Sequence, residues 1–456
     1  MSGKAALLGS IVVRDGWFSD HSRSFRLRYE SGSYRIRRNQ EPRVKPRRKL
    51  FASVVAAAFS VAPALGEPSG DPIPPKDPIP PKETPVVAIF ASAETTPRIW
   101  GEVDYLLWWV KPQSVSAPLV TTGNPNDAVP GAIGQPGTRV LFGGNDLNYG
   151  ATSGLRVNFG AWLNDDATIG FETSWFQLEQ RSTHFGIASD GTGNPPIYMP
   201  TINQDPASGN FGGRGSITIA DPLFPPPGPT VGRLSVDSTS RLWGAEANAL
   251  MNLGRSCAWS VDGLAGFRYA DLAERLRING FSNETGIDIR QSFFDDFSAS
   301  NHFYGGQLGA RIGYEGEQFF LKMTAKAALG STHQVVGVQG QSLYSGTGFS
   351  LPAGLYPGGI YAQPSNIGSR EADRFSFIPQ VQLQAGVKIT SQLKATIGYD
   401  FLYWSSVVRP GQQIDPNLNP NQFPGLPFLG ARLPAPQLNR TDFYAQGLKL
   451  GLFFEF

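Results

Sequence analysis

The sequence predicts an all-β fold: an antiparallel up-and-down transmembrane β-barrel of about ten strands, with long outer loops and short periplasmic turns. Three observations predict it. From Arg98 to Phe456 apolar residues recur with a period of two rather than 3.6. The connections between the alternating segments are in turn long and short. No run of roughly 18 apolar residues occurs in this stretch, so no helix in it would span a bilayer.

Composition agrees with that pattern. Of 456 residues, 53 are Gly and 37 Pro, and only 17% are charged while 12% are aromatic. This suits many strands, turns and irregular loops, and not a coiled coil or a Lys/Glu-rich helical enzyme. The net charge of +2 hides an asymmetry. Residues 1–49 hold 13 Lys/Arg and 4 Asp/Glu, and residues 50–456 are net acidic at −7. The protein without its leader therefore gives no reason to expect nucleic acid as a partner. Cys257 is the one cysteine, which excludes an intrachain disulfide and a multi-cysteine zinc site. With four histidines and no metal or cofactor motif, no cofactor is expected.

Residues 1–66 read as a basic leader and signal peptide. A basic stretch at 43–49 precedes an apolar run from Leu50 to Leu65 that ends in small residues, with cleavage expected after Gly66. With Pro63 inside it, the run is short for a spanning helix. Residues 67–97 form a Pro-rich spacer in which DPIPPK occurs twice, a composition that favours extended polyproline over helix or central strand. The barrel is expected over 98–456.

There are ten strand candidates, near 98–110, 150–163, 167–180, 242–253, 258–278, 301–314, 319–329, 374–389, 393–403 and 442–456. In 393–403, for example, Leu393, Ala395, Ile397, Tyr399, Phe401 and Tyr403 alternate with Lys394, Thr396, Gly398 and Asp400. Short turns are expected around Asn164-Asp165-Asp166, Gly254–Cys257, Glu315-Gly316-Glu317 and Thr390-Ser391-Gln392. Long loops are expected over about 111–149, 181–233, 279–300, 340–373 and 409–441. An even strand number leaves both termini on the short-turn side, as in outer-membrane barrels. A hairpin hidden around Arg139-Val140-Leu141 would raise the count to twelve. Aromatics cluster near strand ends: Trp108, Trp109, Trp175, Tyr403 and Trp404 toward the long loops, Trp162, Trp259, Tyr314 and Phe319 toward the turns. Two such girdles are expected at the membrane interfaces. The last strand places Tyr444, Leu448, Leu450, Leu452, Phe454 and Phe456 on one face and ends on an aromatic. This looks like the signal read by the bacterial barrel assembly machinery, which with outer-membrane lipid would be a partner. Oligomeric state is open.

Several segments resemble the putative beta barrel porin-7 family, found chiefly in planctomycete bacteria: GEVDYLLWWVK (101–111), LAGFRYADLAE (264–274), NHFYGGQLGAR (301–311), ALGSTHQVVGVQG (328–340), GYDFLYWSSVVRPGQQID (398–415) and AQGLKLGLFFEF (445–456). The run ending in RPGQQID is the most specific. Ala273 departs from the polar residue expected there. The resemblance spans about 98–456 and implies an outer-membrane barrel and a porin, with no catalytic residues to carry over.

Alternation sends a set of charges inward. The acids include Glu102, Asp104, Glu172 and Glu246, and the bases Arg311, Lys322, Lys326, Lys388 and Lys394. On the lipid face each would cost about 2–4 kcal/mol near the midplane. They would either set the selectivity of a water-filled passage for small polar solutes, or pair and fill a narrow barrel, since eight strands are already filled by side chains. Two other classes stand beside the pore. The long loops, rich in Gly, Pro, Asn and aromatics, suit a non-conducting structural or surface-recognition barrel. An enzyme would draw on His184, His302 or His333, with Asp295 and Asp296 near His302 in sequence, but no nucleophile elbow or metal motif accompanies them.

Overall fold

The computed structural model describes residues 98–224, 228–348 and 351–456. The expected leader (1–66) and Pro-rich spacer (67–97) lie outside the described residues. Ten long strands form the scaffold: β1 (Ile99–Val110), β2 (Ala151–Trp162), β3 (Ile169–Leu178), β4 (Thr230–Arg255), β5 (Trp259–Glu284), β6 (Ile289–Glu315), β7 (Phe319–Gly346), β8 (Gly368–Lys388), β9 (Leu393–Val408) and β10 (Arg440–Glu455). Each pairs antiparallel with its neighbours in sequence, and β10 returns to pair with β1. All ten predicted segments are strands of this closed ring. At the seam the Arg98 and Ile99 N–H groups donate to Phe456 O at 2.7 and 3.1 Å, and Phe456 N–H donates to Ile99 O at 2.9 Å. Closure pairs every strand of the ring with two neighbours at membrane depth, where each unpaired backbone group would cost several kcal/mol; between β8 and β9 the ladder stops at Gln380 and Leu402.

The hairpin suspected in 111–149 exists, as Pro118–Thr122 against Arg139–Gly143, but it belongs to a separate sheet and the ring stays at ten. The expected loop at 279–300 is not a loop. Strands β5 and β6 run 26 and 27 residues and are joined by 285–288 alone. Strands β4 and β7 are equally tall, at 26 and 28 residues. Above the lipid many outward positions become polar (Asn279, Asn283, Ser292, Ser298), so the sequence there reads as loop, while inward Phe293, Phe297 and Ala299 keep the period of two. After a break at 179–180 the path of β3 continues as Arg181–Ala188 along β4. The result is a one-sided wall standing above the barrel rim.

Around the lower part of the ring the outward residues form an apolar band that includes Leu308, Leu321, Leu383, Ile397, Leu450 and Phe375, all exposed. Trp259, Tyr314 and Phe319 make one girdle beside the turns, with ring centroids 5.0 and 5.8 Å apart. Trp243, Tyr269 and Tyr304 stack at 4.9 and 5.0 Å about ten residues further up, with Trp109 and Trp175 exposed at neighbouring strands. Ten residues of tilted strand span about 25 Å, the height of an outer-membrane band. Three of the nine aromatics assigned to the girdles face the other way. Trp108 and Trp404 are fully buried inside the ring, and Trp162 packs inward at the periplasmic mouth. Clustering near strand ends was the wrong signal for them; strand parity decides the face.

The outer loops are folded rather than loose. Ile197–Asn203, Arg214–Ala220, Pro118–Thr122, Arg139–Gly143 and Asn417–Leu418 form a five-stranded sheet, the cap. Its Leu119, Ile197, Met199 and Ile219 pack with Leu234, Ile278, Phe293 and Phe297 of the wall into one apolar core. Each such side chain contributes about 1.5–3 kcal/mol on burial. One polar knot ties the segment after β7 to this core. Asp295 on β6, outside the membrane band, accepts N–H bonds from Ile360, Tyr361 and Ala362 at 2.9, 3.1 and 2.9 Å. Gly359 is required beside it, since a Cβ there would sit 2.1 Å from Asp295 Oδ1.

Burial pushes the Asp295 carboxyl up to about 7, against the opposing pull of the three N–H donors. The folded state then holds the proton more tightly than the opened state, whose value is near 3.9. Its stabilising contribution is complete below that lower value and is lost as pH rises through about 7. Amide exchange at Ile360–Ala362, corrected for intrinsic rate, should show the opening free energy falling by about 1–2 kcal/mol between pH 5.5 and 7.5. Asp295→Asn should remove that slope.

Candidate functional site

The ring encloses three stacked layers. Nearest the periplasm, Trp100, Leu250, Leu264 and Phe453 form a small apolar cluster. Just below, at the rim, Lys394 pairs with Glu315 and Glu455 at 2.8 Å each, and Lys388 pairs with Glu315 at 2.9 Å.

The middle layer holds the other charges that parity sent inward; some of their pairs cross the lumen, and others join neighbouring strands. Arg156 on β2 reaches Asp400 on β9 at 2.5 Å. Arg311 on β6 grips both oxygens of Glu172 on β3 at 2.7 Å. Arg268 and Lys326 both reach Glu246 at 2.5 Å, and Lys449 lies 3.3 Å from Glu102 and 3.4 Å from Asp104. All nine lumen charges read from the sequence face inward. Among the described residues, Lys322 is the member of that set with no carboxylate within ion-pair distance. It lies over the Phe453 ring at 4.6 Å. The acids and bases therefore meet as pairs instead of lining two walls of a water-filled passage. The cavity left among them, lined by Glu102, Arg311, Lys322 and Lys449, measures about 30 Å³, roughly one water.

The upper layer is apolar. Trp108, Phe176, Phe303, Ile378, Trp404 and Phe443 fill the ring, and each is at most 4% exposed. Trp404 donates its indole N–H to Thr332 Oγ1 at 2.9 Å, which satisfies its one polar atom.

Above this layer sits a buried ion pair that sequence reasoning did not single out. Arg409, just after β9, forks onto Glu274 of β5, with Nε and Nη2 at 2.8 and 2.6 Å from its two oxygens. Its Nη1 donates to Lys111 O and Pro112 O at 3.1 and 2.6 Å. Beside it Asn301 copies a strand pairing: Val408 N–H donates to its Oδ1 at 2.7 Å and its amide donates to Val408 O at 2.9 Å. Arg440 Nε donates to Gln334 Oε1 at 2.9 Å close by. Five segments that carried the family resemblance thus meet here, through Lys111, Glu274, Asn301, Gln334 and Arg409. Strand parity would have flagged Glu274, an inward acid on a predicted strand. Arg409 lay in an expected loop, where parity is silent.

His302 meets neither Asp295 nor Asp296; its ring stacks with that of His333 on the next strand at 6.3 Å. His302 Nδ1 meets Asp271 at 2.6 Å, His333 meets Asp373 at 2.9 Å, and His184 meets Asp237 at 2.6 Å. Asp295 points inward to its N–H knot, and Asp296 pairs with Arg275. All three histidines lie on the outward surface above the band, so no enclosed site contains them. Among the described residues no group of three or more His, Cys, Asp or Glu is placed to hold a metal. On β10, Leu448, Leu450, Leu452 and Phe456 are exposed on the lipid side, with Tyr444 and Phe454 part-buried on the same face.

A closed antiparallel ring with an apolar outer band, two aromatic girdles and a charged, filled interior defines an outer-membrane β-barrel protein. The chain belongs to the family described as putative beta barrel porin-7, whose profile matches residues 100–456. No curated protein matches the sequence. Among solved structures it is similar to the outer membrane protease OmpT from Escherichia coli, at 11% identity and a TM-score of 0.37, covering 79% of this chain and 97% of that one. It is also similar to a Pseudomonas aeruginosa FadL homologue, at 9% identity and TM-score 0.21, covering 79% and 90%. A third is an anion-selective porin from Comamonas acidovorans, at 9% and 0.13, covering 79% and 99%.

Removing one partner of a buried pair costs about 3–5 kcal/mol because the other charge is stranded. Arg409→Ala should therefore loosen the cap and make the 409–441 segment sensitive to protease in the folded barrel. Arg409→Ala combined with Glu274→Leu should recover much of the resistance, and limited proteolysis with mass spectrometry of the fragments reads both.

Proposed function

We propose that this protein is a closed outer-membrane barrel that holds a rigid extracellular wall and cap in place, and that it acts through that outer surface in recognition or as a structural element. The observation that carries this reading is the apolar layer of Trp108, Phe176, Phe303, Trp404 and Phe443, five large rings turned into the lumen and each at most 4% exposed. A hydrated path for small polar solutes would have to pass through it, and through the paired charges beneath. Passive solute diffusion is the alternative. It draws on the family description and on the inward charges, and it requires the cap and this layer to move together. No catalytic step forms part of the reading.

The sequence supports the route to that location. The leader would direct export across the inner membrane, the Pro-rich segment would act as a periplasmic spacer, and the last strand would be read by the barrel assembly machinery. Its exposed apolar face and terminal Phe456 lie at the seam that assembly must close. Deleting Phe456 should lower the fraction of folded, heat-modifiable protein in the outer membrane several-fold, while Lys388→Ala should leave it unchanged.

Single-channel recording of the refolded protein in a planar bilayer, with insertion verified, tests the closed lumen. The expected trace is silent for the native chain. It is silent also for Lys322→Glu with Lys326→Glu, because no ion path exists for those charges to select. Discrete, stable steps that shift toward cations in that variant would instead establish the porin reading.

A further inference from the structure

Above the membrane, the outward face of the wall carries a groove of about 690 Å³ between Arg181–Ala188, β4, β5, β6 and β7. We infer that it binds a carboxylate-bearing oligosaccharide, an acidic glycan of the cell surface. This deepens the recognition reading proposed above and rests on it.

The groove arises from register. Arg233, Phe281, Ser292 and Leu343 stand side by side on successive strands, and Gly186, Ser235, Asn279, Phe294 and Gln341 form the next row. The small residues lower the floor while the two Phe rings make its walls. A volume of this size holds a few sugar rings.

Three features select the ligand. The first is charge. Arg241, Arg275, Arg277 and Arg290 on the same face each lie by an aspartate. Arg233 has no carboxylate within ion-pair distance among the described residues. Its guanidinium lies over the Phe281 ring at 4.9 Å. Stacking orders the planar fork and leaves its in-plane N–H donors free, which is the geometry for bidentate capture of a carboxylate. The second is polarity. Gln341 is exposed with no hydrogen bond to its amide among the described residues, and Asn279 receives Arg277 Nε at 3.0 Å, leaving its NH₂ free. Such amides match hydroxyls, and Phe281 and Phe294, each with an arginine over one ring face (Arg233 at 4.9 Å and Arg277 at 4.4 Å), turn their remaining apolar surface to the groove for the C–H faces of sugar rings. The third is height. Arg233 stands ten residues above Trp243 of the upper girdle, roughly 25 Å along tilted strands. That lies beyond phospholipid headgroups and within the layer of surface polysaccharide.

The test is calorimetric titration of the full chain, refolded in detergent, with tetragalacturonate, neutral maltotetraose and a tetraglutamate peptide as probes. Tetragalacturonate should bind, with an affinity that falls as salt rises, and each of the other two should bind at least roughly tenfold more weakly. Arg233→Ala should lose roughly tenfold or more, Arg233→Lys should recover part, and Phe294→Ala should weaken binding without changing its salt dependence. Arg233 is exposed, and heat-modifiability on gels shows whether each variant is folded. No binding of tetragalacturonate, or binding unchanged in a folded Arg233→Ala, would overturn the inference. Equal binding of tetraglutamate would overturn it in favour of a peptide partner. None of these results alters the conductance test, so a silent bilayer with no glycan binding leaves the closed barrel standing and removes only the ligand.

Discussion

The ring closes at ten strands, and that number sets almost everything inside it. Lipid forbids an open edge, so the sheet must return on itself. Ten tilted strands enclose a space only slightly wider than one that eight strands already fill with side chains. An interior of that width leaves two outcomes for an inward charge. It pairs, across the lumen or with a neighbouring strand, or it is stranded in a poorly hydrated space at a cost of several kcal/mol. The network of Arg156–Asp400, Arg311–Glu172 and Arg268–Glu246–Lys326 is the first outcome. Packing of large rings directly above it has the same origin, since Trp108 reaches Phe176 two strands away and Trp404 reaches Phe303 three strands away.

The pair of Arg409 and Glu274 performs a different task. It sits where the ring stops being a closed cylinder and the tall wall begins, and it joins β5, the end of β1 and the chain leaving β9. A fork-to-fork ion pair with two further carbonyl acceptors fixes direction as well as distance. The 409–441 segment therefore leaves the barrel on a set course and delivers Leu418 to the cap core and Asn417 to the edge of the cap sheet. Most of the segments that marked the family resemblance converge on this junction.

Much of this was legible in the sequence because lipid exposure and lumen exposure alternate residue by residue. Parity placed all ten ring strands and the inward charges. It failed where its physical basis lapses. Beyond the band both faces of the wall meet either water or the cap, so Asn279, Gly280 and Asn283 made β5 look finished at Ile278. Position along a strand misled for Trp108 and Trp404, whose face is decided by parity and not by proximity to an interface. The cap sheet was invisible for another reason: Pro118–Thr122, Ile197–Asn203 and Asn417–Leu418 are far apart in sequence, and only the wall brings them together. Charge pairing across the lumen was foreseen as one of two outcomes; which acid meets which base depends on strand stagger, which a period of two does not encode.

The β5–β6 hairpin has a consequence for how such a protein diversifies. Its two arms are fully registered from the periplasmic turn to Glu284 and Ile289, and the link at 285–288 stands at the far tip. Residues added in pairs at that tip would preserve every existing pairing below it, the lipid belt and the seam included. The tip is therefore a natural place for lineages to gain or shed reach into their surroundings, and for an engineer to graft a foreign epitope onto a cell exterior. The membrane anchor would remain constant while the exposed end changed freely.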